Sequence, residues 1–189
     1  MPADEKLLSL FAPQTQIIRR HKAGKETEFE RKLWLGEVEG GIISEDRLLD
    51  NGGGLEHPEL PASLEVHQQR FGRPPNLLAG DRGVFSEANE QLARELKIKQ
   101  VGLPKAGRGS QARQAYERQR WFRRGFRFRA GIDGRIRVLK RDFGLDRCRD
   151  HGDTGMGRWV GWGIVTAHLA QIAATQAARA AQARERRAA

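Results

Sequence analysis

Asn76-Leu-Leu-Ala-Gly-Asp-Arg-Gly-Val-Phe-Ser86 is the stretch that decides the fold of this chain. Its apolar start, Leu77–Ala79, predicts a short strand, two glycines allow a sharp turn, and a helical pattern begins at Ser86. Asp81 therefore comes directly after a strand, at the edge where open α/β sheets bind ligands. An aspartate that only caps the turn explains the same residues, and this segment alone favours that simpler interpretation.

Upstream of this stretch, the sequence predicts a hairpin and a short helix. Residues 28–49 contain two apolar runs separated by Glu39-Gly-Gly41, a pattern typical of two antiparallel strands joined by a turn. Asn51-Gly-Gly-Gly54 predicts a loop. Ser63 is a candidate cap for a short helix that ends near Phe71.

Downstream, a further short strand is predicted at Val101-Gly-Leu-Pro104, before a long basic helical block. This alternation of strands and helices predicts an α/β fold, in which helices pack on the faces of a sheet. The apolar stretch from Trp159 to Ala174 predicts a buried helix, because it is short and interrupted for a bilayer span. We expect one domain over residues 1–174 and a frayed or disordered Ala/Arg-rich tail over residues 175–189.

Basic charge is concentrated in one block of the chain. The 189 residues carry a formal charge of +10, and residues 105–149 hold 15 Lys or Arg against 4 Asp or Glu, a local excess of 11. Arginines interleaved with aromatics suit phosphate contacts and base stacking, whereas a solvated helix face with buried aromatics explains them equally well. The single cysteine, Cys148, excludes a disulfide framework, and with no secretory signal visible we expect a cytoplasmic protein.

A second acidic position, Asp133, lies inside the basic block. Arg129 is four residues before it and Lys140 seven after it, which at 100° per residue brings all three within about 40° of one helical direction. An acid between two cations suits a metal ligand flanked by phosphate contacts. The alternative is an ordinary ion-pair face, although Gly131 and Gly134 lower helix propensity by about 1 kcal/mol each, which such a face does not need.

These residues resemble the DDE transposases of bacterial insertion sequences. One large branch of that family has a signature of Tyr, two residues, Arg, three residues, Glu, six residues and Lys or Arg. The matching positions here are Phe126, Arg129, Asp133 and Lys140. The family's second aspartate follows a strand and precedes a small-residue turn, as Asp81 does. The likeness runs from about Glu5 to Ile172.

The resemblance implies a ribonuclease-H-like, retroviral-integrase-like fold in which Asp81 and Asp133 hold Mg²⁺ and act in catalysis. It also implies a partner, the double-stranded DNA of transposon ends, and a homo-oligomer as in the full-length family, with no membrane association. The positions expected to contact DNA, from the signature and from the basic block, are Phe126, Arg129, Lys140, Arg123, Arg124 and Arg137.

Three departures from the family pattern bear on activity. Phe126 lacks the hydroxyl of the family's tyrosine, and Asp133 replaces glutamate with a side chain shorter by one methylene, which would withdraw its carboxylate by about 1 Å from an Mg²⁺ site that requires ligands near 2.0 to 2.1 Å. The opening strand that carries the family's first aspartate has no counterpart here. The resemblance therefore implies an N-terminally truncated catalytic domain, lacking the first strand, that is inactive on its own.

Two other functions stay open at this point. The chain could be a degenerate remnant that only binds nucleic acid through the Arg-rich block of residues 105–149, or the product of a broken gene that does not fold. Salt-dependent DNA binding without magnesium-dependent nicking would indicate the first, and the lack of a cooperative thermal transition would indicate the second. The five histidines show no metal-ligand spacing.

Overall fold

A computed structural model describes the backbone of residues 16–22, 25–49 and 55–188, and the side chains of residues 31–49 and 55–187. The chain divides into two units, Thr15–Arg135 and a helical unit that contains Ile136–Ala189. We call the first the sheet unit. The strands are β1 (Gln16–Lys22), β2 (Lys25–Glu30), β3 (Lys32–Val38), β4 (Ile42–Leu49), β5 (Leu77–Ala79) and β6 (Gln100–Gly102). The α-helices are α1 (Leu60–Phe71), α2 (Glu87–Glu95), α3 (Gln111–Glu117), α4 (Arg120–Phe143) and α5 (Gly152–Ala188).

The predicted hairpin is confirmed, except that its first strand begins at Lys32 and not at residue 28, since residues 28–30 belong to β2. Strands β3 and β4 pair antiparallel from Lys32 opposite Leu49 to Val38 opposite Ile42, with a bulge between Gly36 and Glu37. Gly40 and Gly41 have φ of +87° and +76°, backbone angles that glycine adopts without steric strain. Strands β1 and β2 form a second antiparallel pair, which the sequence pattern did not predict.

The strand, turn and helix predicted around Asp81 are also confirmed. Strand β5 pairs parallel with β6, so that Leu78 lies opposite Val101. The helix starts at Ser86 as expected, and the Ser86 hydroxyl oxygen caps α2 by accepting a hydrogen bond from the Asn89 backbone amide at 3.0 Å. Buried apolar side chains under this layer form the core of the sheet unit: Leu60, Leu64, Val84, Ala93, Ile98, Val101 and Leu103.

Helix α1 corrects the expectation that Ser63 caps it. The helix begins at Leu60, and no side chain caps its N-terminus, where Pro61 needs no hydrogen bond for its nitrogen. Ser63 instead faces the hairpin, where its hydroxyl donates to the buried Glu45 carboxylate and accepts from Trp34 Nε1 at 3.3 Å. A serine and a proline both occur at helix starts, and the contacts of Ser63 with the hairpin hold it within the first turn of α1 instead of at the cap.

The architecture is mixed α/β, as predicted. The described strands form three separate two-stranded sheets, of which only β5–β6 is parallel, whereas the sequence predicted a single sheet covered by helices. The loop predicted at residues 51–54 lies outside the described residues.

The helical unit contains the last third of α4, a short connection and α5. Trp159 Nε1 donates to the Gly144 carbonyl at 2.8 Å, and Gly163 lies against the Leu145 side chain, so α5 packs on the connection. The predicted buried helix at residues 159–174 is only half right: Val160 and Ile164 are buried, but Trp162 is 70% exposed, because the apolar residues lie on two opposite sides of the helix. The helix continues through the expected tail to Ala188. Among the described helices, none has a run of residues apolar and long enough to cross a bilayer.

Candidate functional site

Asp81 lies at the end of β5 and closes the turn that follows. Its Oδ1 accepts hydrogen bonds from the backbone amides of Gly83 at 2.9 Å and Val84 at 3.2 Å. Short side chains at this turn are required by packing, because a Cβ at Gly80 would lie 2.8 Å from Leu103 Cδ2. The carboxylate therefore shapes the turn with one oxygen and leaves the other facing α4.

Helix α4 approaches β5 closely because Gly125 has no side chain there. A Cβ at Gly125 would lie 3.2 Å from Leu77 Cδ1, which is tighter than an ordinary contact. This approach brings Arg129 to Asp81, with 3.4 Å between Nη2 and Oδ2. The same guanidinium contacts Asp133 one turn further on, with 3.2 Å between Nη1 and Oδ2. The structure thus brings together Asp81, Arg129 and Asp133, three residues of the predicted site.

This arrangement is an ion-pair bridge, and it does not fit a divalent metal as it stands. Asp81 offers both oxygens to N–H donors, and an ion between the two carboxylates would have to displace Arg129. Glu56 reaches the other side of Gly83, where its Oε2 lies 2.8 Å from the position of a Cβ, but its Oε1 pairs with Lys32 at 2.9 Å. Among the described residues no three His, Cys, Asp or Glu side chains are grouped to hold an ion.

The remaining predicted residues lie elsewhere on α4. Phe126 is 47% exposed, so its ring does not sit in a core. Arg123 and Arg124 are exposed in the first half of the helix. Arg137 and Lys140 are exposed as well, but they belong to the helical unit and not to the sheet unit that holds Asp81.

Four exposed arginines form a stripe on the first half of α4, which we call the arginine face: Arg120, Arg123, Arg124 and Arg127. At 100° per residue they fall within an arc of about 100°, and the centre of that arc lies about 170° from Arg129 and 130° from Asp133. The buried Phe122 and Gly125 lie on the inner side of the helix with Arg129. The cations of the arginine face therefore point away from the two acids, unlike Arg129, which shares their side of the helix as the sequence pattern indicated.

No ion pair joins the arginine face to any described residue. The contact found there runs from Arg123 Nε to the carbonyl of Arg118 at 3.1 Å. Beyond the arginines, Gly131 and Gly134 continue the same stripe, and within the described structure nothing lies within 4 Å of a Cβ at either position. The outer side of α4 is thus a basic surface that ends in bare helix backbone.

Two partly buried charge groups were missed by sequence reasoning. Glu37 Oε1 lies 3.8 Å from Arg135 Nη2, and the Arg135 guanidinium occupies the space where a side chain at Gly41 would be. Burial raises the pKa of Glu37, and the charge of Arg135 partly offsets that rise. The pattern Glu39-Gly-Gly41 indicates a turn, but nothing local in the sequence reveals that an arginine nearly a hundred residues later lies on it.

Arg113 is the second group, and it holds the connection after β6 in place. Its guanidinium contacts Glu90 and Glu117, each at 2.7 Å, and donates to the Leu103 carbonyl. It also lies over the rings of Phe85 and Tyr116, 5.0 Å and 5.2 Å from the ring centroids. These contacts assign part of the basic block to the framework rather than to a binding surface.

Comparison of the chain with protein-family models, with curated proteins and with solved structures finds no match.

Proposed function

We propose that this protein binds double-stranded DNA through the arginine face of α4, without regard to sequence. The observation that carries the proposal is the stripe of exposed arginines that no described acid neutralises. Guanidinium groups pair bidentately with phosphate oxygens, so a stripe of them suits a nucleic-acid backbone. The resemblance to DDE transposases, and with it a ribonuclease-H-like ancestry and transposon-end DNA, supports the same partner.

The dimensions of the arginine face are compatible with a duplex. From Arg120 to Arg127 the helix rises about 10 Å, and a duplex carries about six phosphates over that length. Four arginines can therefore each meet a different phosphate. The glycines at 131 and 134 let a second strand of the backbone come near the helix without meeting a side chain.

Binding without cleavage is the form of the proposal that the geometry favours. In a metal-dependent nuclease, the cations that hold the phosphates converge on the metal, so that the scissile bond lies in its coordination sphere. Here the arginine face and the pair of acids are on different sides of α4, and Arg129 already neutralises both carboxylates. The Asp81–Arg129–Asp133 bridge then serves to fix α4 on β5 and to present the arginine face.

The test is DNA binding by fluorescence anisotropy at several salt concentrations. The slope of log K against log salt is negative, and each phosphate contact contributes about −0.9 to it. If the variant R123A/R124A/R127A loses three contacts, its slope should be shallower than that of the wild type by about 2.7. The matched control is R73A/K97A/K99A, which removes the same charge from exposed positions outside α4.

The control separates a local contact from a general charge effect. We expect the slope of log K against log salt of the control variant to change by less than about 0.9, the contribution of one phosphate contact. Equal losses in the two triple variants would mean that the DNA responds to net charge alone and would remove the arginine face from the proposal. No measurable binding of wild-type protein at low salt would reject DNA binding altogether.

A second candidate function is metal-dependent DNA cleavage of the transposase type. The observation in its favour is that Asp81 and Asp133, distant in sequence, meet at one guanidinium. Nicking of supercoiled plasmid in Mg²⁺, abolished by D81N and by D133N but not by D146N, would support cleavage in place of binding alone. Asp146 is an exposed acid of the helical unit and serves as the control.

A further inference from the structure

Helix α5 has two apolar faces on opposite sides. The inner face includes Val160 and Ile164, which are 5% exposed each. The outer face consists of Trp162, Val165, Leu169 and Ile172, which are exposed by 70%, 44%, 61% and 49%. We call these four residues the outer stripe. The centres of the two faces lie about 140° apart at 100° per residue, so one neighbour cannot cover both.

The outer stripe has the spacing of a helix-pairing seam. Its residues are separated by three, four and three positions, the alternation that keeps apolar side chains on one edge of a two-helix contact. A solvated helix needs no such regularity, since exposed apolar residues usually occur singly. The spacing therefore indicates another helix as the occupant of this face.

The area of the outer stripe is suited to a weak dimer. With about 150 to 250 Å² for a large apolar side chain, the four exposed fractions amount to on the order of 400 Å² on each copy. A standard interface buries about 800 Å² per partner. Two copies paired by this stripe, with the small residues beside it, reach the low end of specific interfaces, where association is weak and transient.

Charge explains why a second copy can approach here although the chain as a whole is strongly basic. Between Arg158 and Arg179 the helix has no Asp, Glu, Lys or Arg, while the chain carries a formal charge of +10. The positions that flank the stripe include Thr166 and Ala173, which are small and neutral. Two copies therefore meet at this segment without repulsion between like charges.

We infer that the outer stripe of α5 pairs with the same stripe of a second copy, antiparallel and related by a two-fold axis near residue 167. The spacing of three, four and three reads the same in both directions, so the antiparallel pair places Trp162 opposite Ile172 and Val165 opposite Leu169 of the second copy. Every member of the stripe then has an apolar partner.

The ends of the helix favour the antiparallel arrangement over the parallel one. In a parallel pair, the basic C-terminal ends of the two helices would lie side by side and repel each other. These ends contain the arginines at 179, 184, 186 and 187. The antiparallel pair instead brings that basic end near the start of the second helix, where the charges are mixed: Asp150, which pairs with Arg158, and Asp153 lie there beside Arg149. Like charges therefore face each other less than in the parallel pair. This pairing does not depend on DNA binding, because the outer stripe belongs to the helical unit and the arginine face to the sheet unit.

Sedimentation equilibrium of the full chain tests the dimer from about 1 to 300 µM. We expect L169E to raise the dissociation constant at least about 30-fold, as loss of a central apolar contact does in protein interfaces. V165E is a second variant with the same expected effect. The matched control is A174E, which adds the same charge to an exposed position on the opposite side of α5; circular dichroism verifies that each variant keeps its helix content.

Cross-linking tests the orientation independently of any glutamate variant. In a C148S background, a mixture of V165C and L169C chains should form mixed disulfide dimers on oxidation faster than either chain pairs with itself. Faster pairing of each chain with itself would overturn the antiparallel arrangement.

Two further results would overturn the proposal. One is a wild-type chain that stays monomeric over the whole concentration range, or that dimerises equally well as L169E. The other is a wild-type chain that binds phosphatidylserine vesicles through this stripe while remaining a monomer, with binding lost in L169E, since that would make a lipid surface the occupant.

Discussion

Replacing Arg113 with methionine tests whether this arginine belongs to the framework of the sheet unit. The variant keeps most of the side-chain volume but removes the guanidinium that contacts Glu90 and Glu117 at 2.7 Å. The side chains of Arg113 and Glu90 are 14% and 11% exposed, so the glutamate would keep a charge in a site that water reaches poorly. Loss of one partner of such a pair typically costs about 3 to 5 kcal/mol.

The expected loss lies near the lower end of that range. Arg94 Nη2 remains 3.5 Å from Glu90 Oε2 and partly compensates the charge, so we expect R113M to lower the free energy of unfolding by about 3 kcal/mol. Urea titration followed by circular dichroism measures it, with an unchanged slope if the unfolding transition stays two-state. The control R118M alters an exposed arginine just after α3 and should change stability by less than about 0.5 kcal/mol.

A double-mutant cycle decides whether the ion pair is the cause. If the charge left on Glu90 is responsible, R113M in an E90Q background should cost less than in the wild type by about 1 kcal/mol or more. A loss below about 1 kcal/mol for R113M alone would refute the reasoning, because the buried contacts would then contribute no more than an exposed pair.

Three further predictions concern stability and pH, each measured by urea titration. G131A should raise the free energy of unfolding by about 0.5 to 1 kcal/mol, since the helix interior there is open and alanine has the higher helix propensity; a loss would mean that the glycine has a neighbour. Burial raises the pKa of Glu37, against the charge of Arg135, so the folded state binds its proton more tightly, and stability falls as pH rises above the ordinary value near 4.5. E37Q should reduce this loss of stability with rising pH, and an unchanged dependence of the free energy of unfolding on pH would contradict the prediction. Burial and the charge of Arg73 lower the pKa of His67, so stability falls as pH drops below about 6.5, and H67Q should reduce that loss.

Local features of the fold were predictable from the sequence. The hairpin of β3 and β4, the turn after β5 and the start of α2 at Ser86 depend on glycines and on the local spacing of apolar residues, which act on their immediate neighbours. The helix start at Leu60 was missed because Ser63 interacts with the hairpin and not with its own helix end.

The candidate site was predicted in part. Asp81, Arg129 and Asp133 do meet, as the spacing on α4 and the strand-end position suggested. The direction of the arginine face was not predictable in the same way, because a basic block gives the identity of the cations but not which side of the helix the β5 strand covers. Gly125 decides that side, through its close contact with Leu77.

The sequence by itself determined where the charge lies, which segments turn, and which residues share a helical direction, because these properties follow from composition and from short-range periodicity. Only the tertiary structure decided that Arg129 neutralises both acids, that the arginines at 120, 123, 124 and 127 face solvent, and that one of the two apolar sides of α5 remains exposed. The physical reason is that burial and ion pairing depend on contacts between residues distant along the chain, and periodicity describes a helix without saying which of its sides has a neighbour.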